Sequence, residues 1–558
     1  MKKYILGAWH ILLLAPLAGW AQQQNLELGA WKAHVSHSSG LDLVAKDGLV
    51  YTATTGGLFS FQPETREIEV FSTVDGMSDI SPTSIYFADD RNEIYLGYED
   101  GNIDFFESTD NFQYLTDIAR STTFPDKRIN TFHAFQDRLY VGTNFGLVIY
   151  DLNEQLPVTD ISQIGANPSR LAVQSIAVFD GYIWVVLDNN GLYRAPVDFP
   201  NLKDPAIWER QIGLEGLPVD AEIVQVTPAR GFLYARGVKT LYRKSISDIW
   251  IVEERLDRSW SYMFSTDDAI GVGRIGEVQV INQKNIKYIY FPQGGVTNGV
   301  ILGETDFFHT TQFRGVSWFA DYEISYHVPN GPRNNNCVQV VAGNGEVYVA
   351  PQGYDQIFNP ILSFDGVYYL NSRTGEWRVM NSGDGSLPNR QNTGFARATY
   401  DPNTQLAYLG SWGSGLVISQ NGNLVEGFTC DNSGIPIIDE PCNLDNRTNS
   451  RVSGVDFDPN GNMWVSLDFA RPPLVVRTPD GTWNQVPNFR FPSGNHIVEM
   501  ITDDWGSVWM VDLEQGILVY TDNGTPTDFT DGRLINLRRG LNQGNLPTNE
   551  VLTLAKDL

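Results

Sequence analysis

One pattern returns along this chain about every 45 residues, and it limits the possible folds more than any other feature. An apolar stretch leads into a polar turn built on Asp, Asn or Gly, and a second apolar stretch centred on Tyr or Trp follows. A Gly-containing turn, a Leu or Ile and a third stretch complete the unit. Early copies are Asp47-Gly48-Leu49-Val50-Tyr51, Asn92-Glu93-Ile94-Tyr95, Asp137-Arg138-Leu139-Tyr140 and Asp180-Gly181-Tyr182-Ile183-Trp184. Helical solenoids have similar periods but need apolar residues at 3.6-residue spacing, which is absent. Aromatic and β-branched residues gathered between Gly turns predict strands instead.

A small four-stranded sheet with two apolar faces cannot bury both by itself. Sheets packed radially cover one another, so the repeat predicts the blades of a β-propeller. Seven copies fit between about Trp31 and Tyr326, with a degenerate sixth near Ala269-Ile270-Gly271-Val272-Gly273 and a seventh at Gly315–Phe319. Leu28–Lys32 is expected to latch this ring by adding a strand to its last blade. A new series starts near Asn336 and passes through Tyr348, Tyr408, Trp464 and Trp509. Its last copy, Gly544–Leu558, holds only a lead-in and a first strand. The expected fold is all-β: a seven-bladed propeller over 22–330, then a second propeller over 331–558, incomplete at its C-terminal end.

Residues 1–21 read as a cleaved secretory signal. Lys2 and Lys3 precede an apolar stretch of roughly 14 residues, and small residues surround the cut site at Ala21. That stretch is shorter than the ~20 residues a membrane span needs. The formal net charge of −27 argues against nucleic-acid binding, because an acidic surface repels phosphate backbones. Of the three cysteines, Cys430 and Cys442 lie twelve apart in a polar segment. They are candidates for a disulfide clipping one loop in an oxidising compartment, and buried or free thiols are the other reading.

No motif for catalysis or cofactor binding stands out. The seven histidines are scattered, and His34 and His37 lack a third ligand. Asp456-Phe457-Asp458-Pro459-Asn460-Gly461-Asn462 imitates a calcium loop, but position twelve is Leu467 where a Glu is needed. A plain hairpin turn accounts for it. Asp89-Asp90, Asp267-Asp268 and Asp503-Asp504 read as solvated turn tips. The candidate binding loop is Gly410-Ser411-Trp412-Gly413-Ser414-Gly415, where Trp412 either stacks on a ligand or packs between blades. Catalytic, metal and cofactor-binding residues are assigned to none.

Leu546-Pro547-Thr548-Asn549-Glu550-Val551 and Gly506-Ser507-Val508-Trp509 resemble the two-component regulator propeller repeat. Trp31-Lys32-Ala33-His34, Gly57-Leu58-Phe59-Ser60, Gly76-Met77-Ser78-Asp79-Ile80 and Gly97-Tyr98-Glu99-Asp100-Gly101-Asn102-Ile103-Asp104 together resemble the PorZ family of the Bacteroidetes type IX secretion system. That resemblance implies two propellers and a sorting domain displayed on the outer-membrane surface, without catalysis. It also implies an attachment complex with the sortase PorU and with PorV and PorQ, and a link to anionic lipopolysaccharide. The alternative is a periplasmic glycan-sensing region of a hybrid two-component receptor. A propeller lyase or glycosidase would need acidic or His clusters on one ring face.

Overall fold

The structure, a computed structural model, describes residues 31–557 apart from 167–169, 246–248, 256–258, 267, 283, 285–286, 303–305, 360, 362, 389–393, 439–441 and 443–449. The expected signal peptide and most of the expected latch lie outside the described residues.

Strands join consecutively into four-stranded antiparallel meanders. Seven of these sheets occupy residues 40–71, 84–115, 129–161, 173–210, 223–255, 262–290 and 296–327, here blades 1 to 7. Four more meanders occupy 339–380, 395–428, 450–485 and 497–537, blades 8 to 11, with blades 9 and 10 joined into one eight-stranded sheet. The hairpins between first and second strands follow from their sequences. Asp47 and Gly48 take φ of 52° and 78°, as do Asp180-Gly181 and Asn344-Gly345 at similar values. Two successive positive φ angles make the tight turn whose twist matches that of the flanking strands.

Alternation along each strand gives every blade two apolar faces. In blade 1, Tyr51, Ala53 and Leu58 pack with Ile85, Ile94 and Leu96 of blade 2, whereas Val50, Phe59 and Phe61 face the other way. Those three meet Phe308 and Val316 of blade 7, so the first ring closes blade on blade. The inner strand Gly40–Lys46 packs along Val296–Leu302. Blade 7 takes its fourth strand, Glu323–His327, from its own meander, and Trp31 is 82% exposed.

A second device recurs in both series. Inner strands carry a bulge near their start, at Gly40/Asp42, Val173/Ser175, Ile223/Gln225, Phe395/Arg397 and Ile497/Glu499. A bulge re-aims a side chain, and here it turns a polar one onto the next inner strand. Asp42 accepts from Ile85 N (3.2 Å), and Ser175 Oγ donates to Val226 O (3.0 Å) and accepts from Val226 N (3.1 Å). Gln225 accepts from Met263 N (2.8 Å), and Arg397 Nε donates to Ser453 O (2.9 Å). At the seam Thr297 Oγ1 donates to Gly40 O (3.2 Å), and Asn298 Nδ2 donates to Asp42.

The second series is an open arc. Inner strands of blades 8 to 11 pack in order, but among the described residues no comparable inner-strand contact joins blade 11 to blade 8, which meet only through the 351–366 loop. Past blade 11, Thr553 Oγ1 donates to Glu499 (3.2 Å).

Candidate functional site

Because strands alternate in direction, the turns between second and third strands share a face with the connections between blades. In blade 1 the second-to-third turn is only Thr55-Gly56. In blade 8 it spans 351–366, and the connection from blade 9 to blade 10 spans 429–449. This face of the arc is the candidate site, since binding groups are often carried on loops held by a rigid scaffold.

Trp412 is its floor, not its exposed platform. Gly410–Gly413 is strand rather than loop, because Leu406–Gly413 runs on past blade 9 and its last residues pair with blade 10, Trp412 with Arg451 and Gly413 with Ser450. Trp412 is 1% exposed, and its Nε1 donates to Phe358 O (3.2 Å). The Tyr354 ring lies 4.8 Å away and Ala396, Val498 and Val511 surround it. A ligand cannot stack on a ring enclosed in this way.

Above that floor stands a partly exposed aromatic group. Tyr354 and Phe358 lie 4.8 Å apart, and Phe358 meets the edge of His496 at 6.0 Å. Phe469 lies 4.5 Å from His496 on the other side, with the Arg451 guanidinium 5.8 Å over its ring. Asp468 is fully buried beneath them. One of its oxygens is 3.1 Å from Arg451 Nη1, and the other lies 2.8 Å from His496 Nδ1. Arg397 donates from Nη1 to Tyr354 Oη (3.0 Å) and from Nε to Val498 O (3.1 Å). The chemistry on offer is aromatic stacking and hydrogen bonding from cations.

The other residues singled out in the sequence do not join this group. Cys430 and Cys442 form a disulfide (Cα–Cα 5.9 Å) in the 429–449 connection, and Cys337 is free and exposed. His34 accepts from Trp377 Nε1 (3.2 Å), whereas His37 is buried against Thr54 Oγ1 (3.0 Å), its pKa pushed down to about 4 by burial. Asp458 accepts from Asn460 N, Asn462 N and Trp464 Nε1, the bonding of a hairpin turn. Asp89 and Asp90 lie in a short 3₁₀ turn; Asp267 is outside the described residues. Among the described residues no three His, Cys, Asp or Glu side chains gather as metal ligands. Nor is any helix among them long and apolar enough to cross a membrane. Sequence reasoning passed over Tyr354, Phe358 and His496. The stretched interval from Tyr348 to Tyr408 was the available signal, since an inserted loop lengthens the repeat.

Residues 50–209 match the family described as the N-terminal β-propeller domain of PorZ, type IX secretion system. The fold agrees along most of the chain. PorZ of Porphyromonas gingivalis, an essential bacterial surface component of that system, superposes with a TM-score of 0.73. The match has 17% identity and covers 92% of this chain and 69% of that one. Residues 50–209 are thus similar in sequence to the PorZ N-terminal propeller, and the chain as a whole is similar to PorZ in fold. The extracellular domain of a putative hybrid two-component system from B. thetaiotaomicron also matches, at 13% identity over 92% of this chain and 67% of that one, with a TM-score of 0.33. No protein of curated function matches the sequence. The family match at residues 50–209 falls on the closed ring, whereas the aromatic group lies on the arc.

Proposed function

We propose that this chain is a non-catalytic scaffold of a type IX secretion system, exported and held at the outer-membrane surface. In this reading it supports cargo maturation within an attachment complex containing PorU, PorV and PorQ and assists anchoring to anionic lipopolysaccharide. Residues 22–330 and 331–558 are its two propeller domains. The match of residues 50–209 to the PorZ N-terminal propeller carries the reading. The site's chemistry agrees with it, since stacking and cationic groups suit contact with partners. Deleting the gene tests it: exported cargo should accumulate with its sorting signal uncleaved. Normal cargo processing in the deletion strain would overturn the assignment.

A further inference from the structure

Two segments far apart in sequence meet between the first ring and the arc. Residues 31–38 precede blade 1, and residues 328–338 lead from blade 7 to blade 8. The second reads Val328-Pro329-Asn330-Gly331-Pro332-Arg333-Asn334-Asn335-Asn336-Cys337-Val338. A polar Gly/Pro-containing connection of this kind is ordinarily a hinge, and relative motion of the joined domains is the default.

Here the connection is bonded on both sides. Towards the first ring, Ser36 N donates to Asn335 Oδ1 (2.6 Å) and Ser36 Oγ to Arg333 O (2.8 Å). Ser38 Oγ donates to the same carbonyl, and Asn335 Nδ2 donates to Thr55 O (3.2 Å). Towards the arc, Asn330 Nδ2 donates to Gly375 O (2.8 Å), and Asn330 Oδ1 accepts from Trp377 N (2.9 Å). Asn334 Nδ2 donates to Asp365 (3.0 Å). The bond from Trp377 Nε1 to His34 Nδ1 joins the N-terminal segment directly to blade 8. Asn330 and Asn335 each use both ends of the side-chain amide on backbone groups, and Asn334 adds a bond to a carboxylate, which a spacer selected only for length would not need.

We propose that residues 31–38 form a strap which, with the asparagine-rich connection, fixes the first ring and the arc in one orientation. Contact surfaces on both are then presented together as a single rigid face. The strap is a conformational device of the chain itself and holds whatever the partners are.

Electron–electron double resonance on the full chain tests this. Spin labels at D198C and T527C, both on exposed turns, report the distance between ring and arc in a C337S background. A single narrow distance distribution is expected. The S36A/N335A double variant should broaden it at least twofold. W377F, which keeps the ring but removes the donor to His34, should broaden it less and leaves the packing of blade 8 in place if the double variant misfolds. A broad distribution in the unsubstituted chain would overturn the proposal. So would widths unchanged in both variants.

Discussion

Blade 1 and blade 8 turn the same kind of face towards what precedes them in their series, and they meet different things there. In blade 1, Val50, Phe59 and Phe61 are buried against Phe308 and Val316 of blade 7. The Phe61 ring also stacks on His327 at 4.1 Å. The corresponding side chains of blade 8, Val347, Val349, Tyr368 and Leu370, line a cavity of about 580 Å³ roofed by Pro332, Asn334–Asn336 and His34. Val340, on the inner strand, is 51% exposed, whereas Leu43 of blade 1 is 3% exposed. Strand alternation therefore makes a two-faced blade whatever its neighbour is. Solid packing comes only where a second blade supplies an equally apolar face; a polar connection caps the other face and leaves space beneath.

Substitutions at the two faces should separate sharply. Phe61→Ala removes a fully buried ring from the seam and should destabilise the first ring by about 3–5 kcal/mol. Calorimetry should show the loss in one transition; a loss under about 1 kcal/mol would mean that the seam is loosely packed. Cys430→Ser releases a short loop on the arc and should cost about 2–3 kcal/mol there while leaving the first ring unchanged.

The seam should also respond to pH. Burial pushes the Asp42 carboxyl up to about 6, against hydrogen bonds from Ile85 N, Leu43 N and Asn298 that favour its charged form. The folded state therefore holds this proton more tightly than the unfolded chain. Its contribution is full at about pH 4 and is lost as pH rises through about 6. The change should be about 1–2 kcal/mol, allowing for the water that reaches the group. Asp42→Asn should flatten that slope in urea titrations between those pH values. The smallest effect is expected for Val340→Ala, within about 0.5 kcal/mol by chemical denaturation, because the side chain is half exposed. A cost approaching that of Phe61→Ala would show both faces to be packed alike.

The repeat, its Asp-Gly turns and its aromatic second strands were legible because each depends on residues close in sequence. Blade 6 read as degenerate for a physical reason. Tyr262 and Phe264 lie opposite Gly273 and Gly271, and their rings cover those glycines, where a Cβ would come within 2.0 and 2.1 Å of ring carbons. The aromatic groups have moved to the first strand. The sequence leaves Trp412 either stacking on a ligand or packing between blades, because the glycines around it are local, whereas the strand partners that decide for packing, Ser450 and Arg451, are distant. The strap was invisible for the same reason: Ser36 and Asn335 are 299 residues apart. His496 and Phe358 likewise meet only through the packing of blade 8 near blade 11.

Hydrogen–deuterium exchange on the intact chain tests the contrast between closed ring and open arc most directly. The seam strands Gly40–Lys46 and Val296–Leu302 should exchange as slowly as Val173–Phe179 within the ring, and Gln339–Gly343 of blade 8 markedly faster. Seam strands that exchange as fast as Gln339–Gly343 would contradict a first ring closed blade on blade.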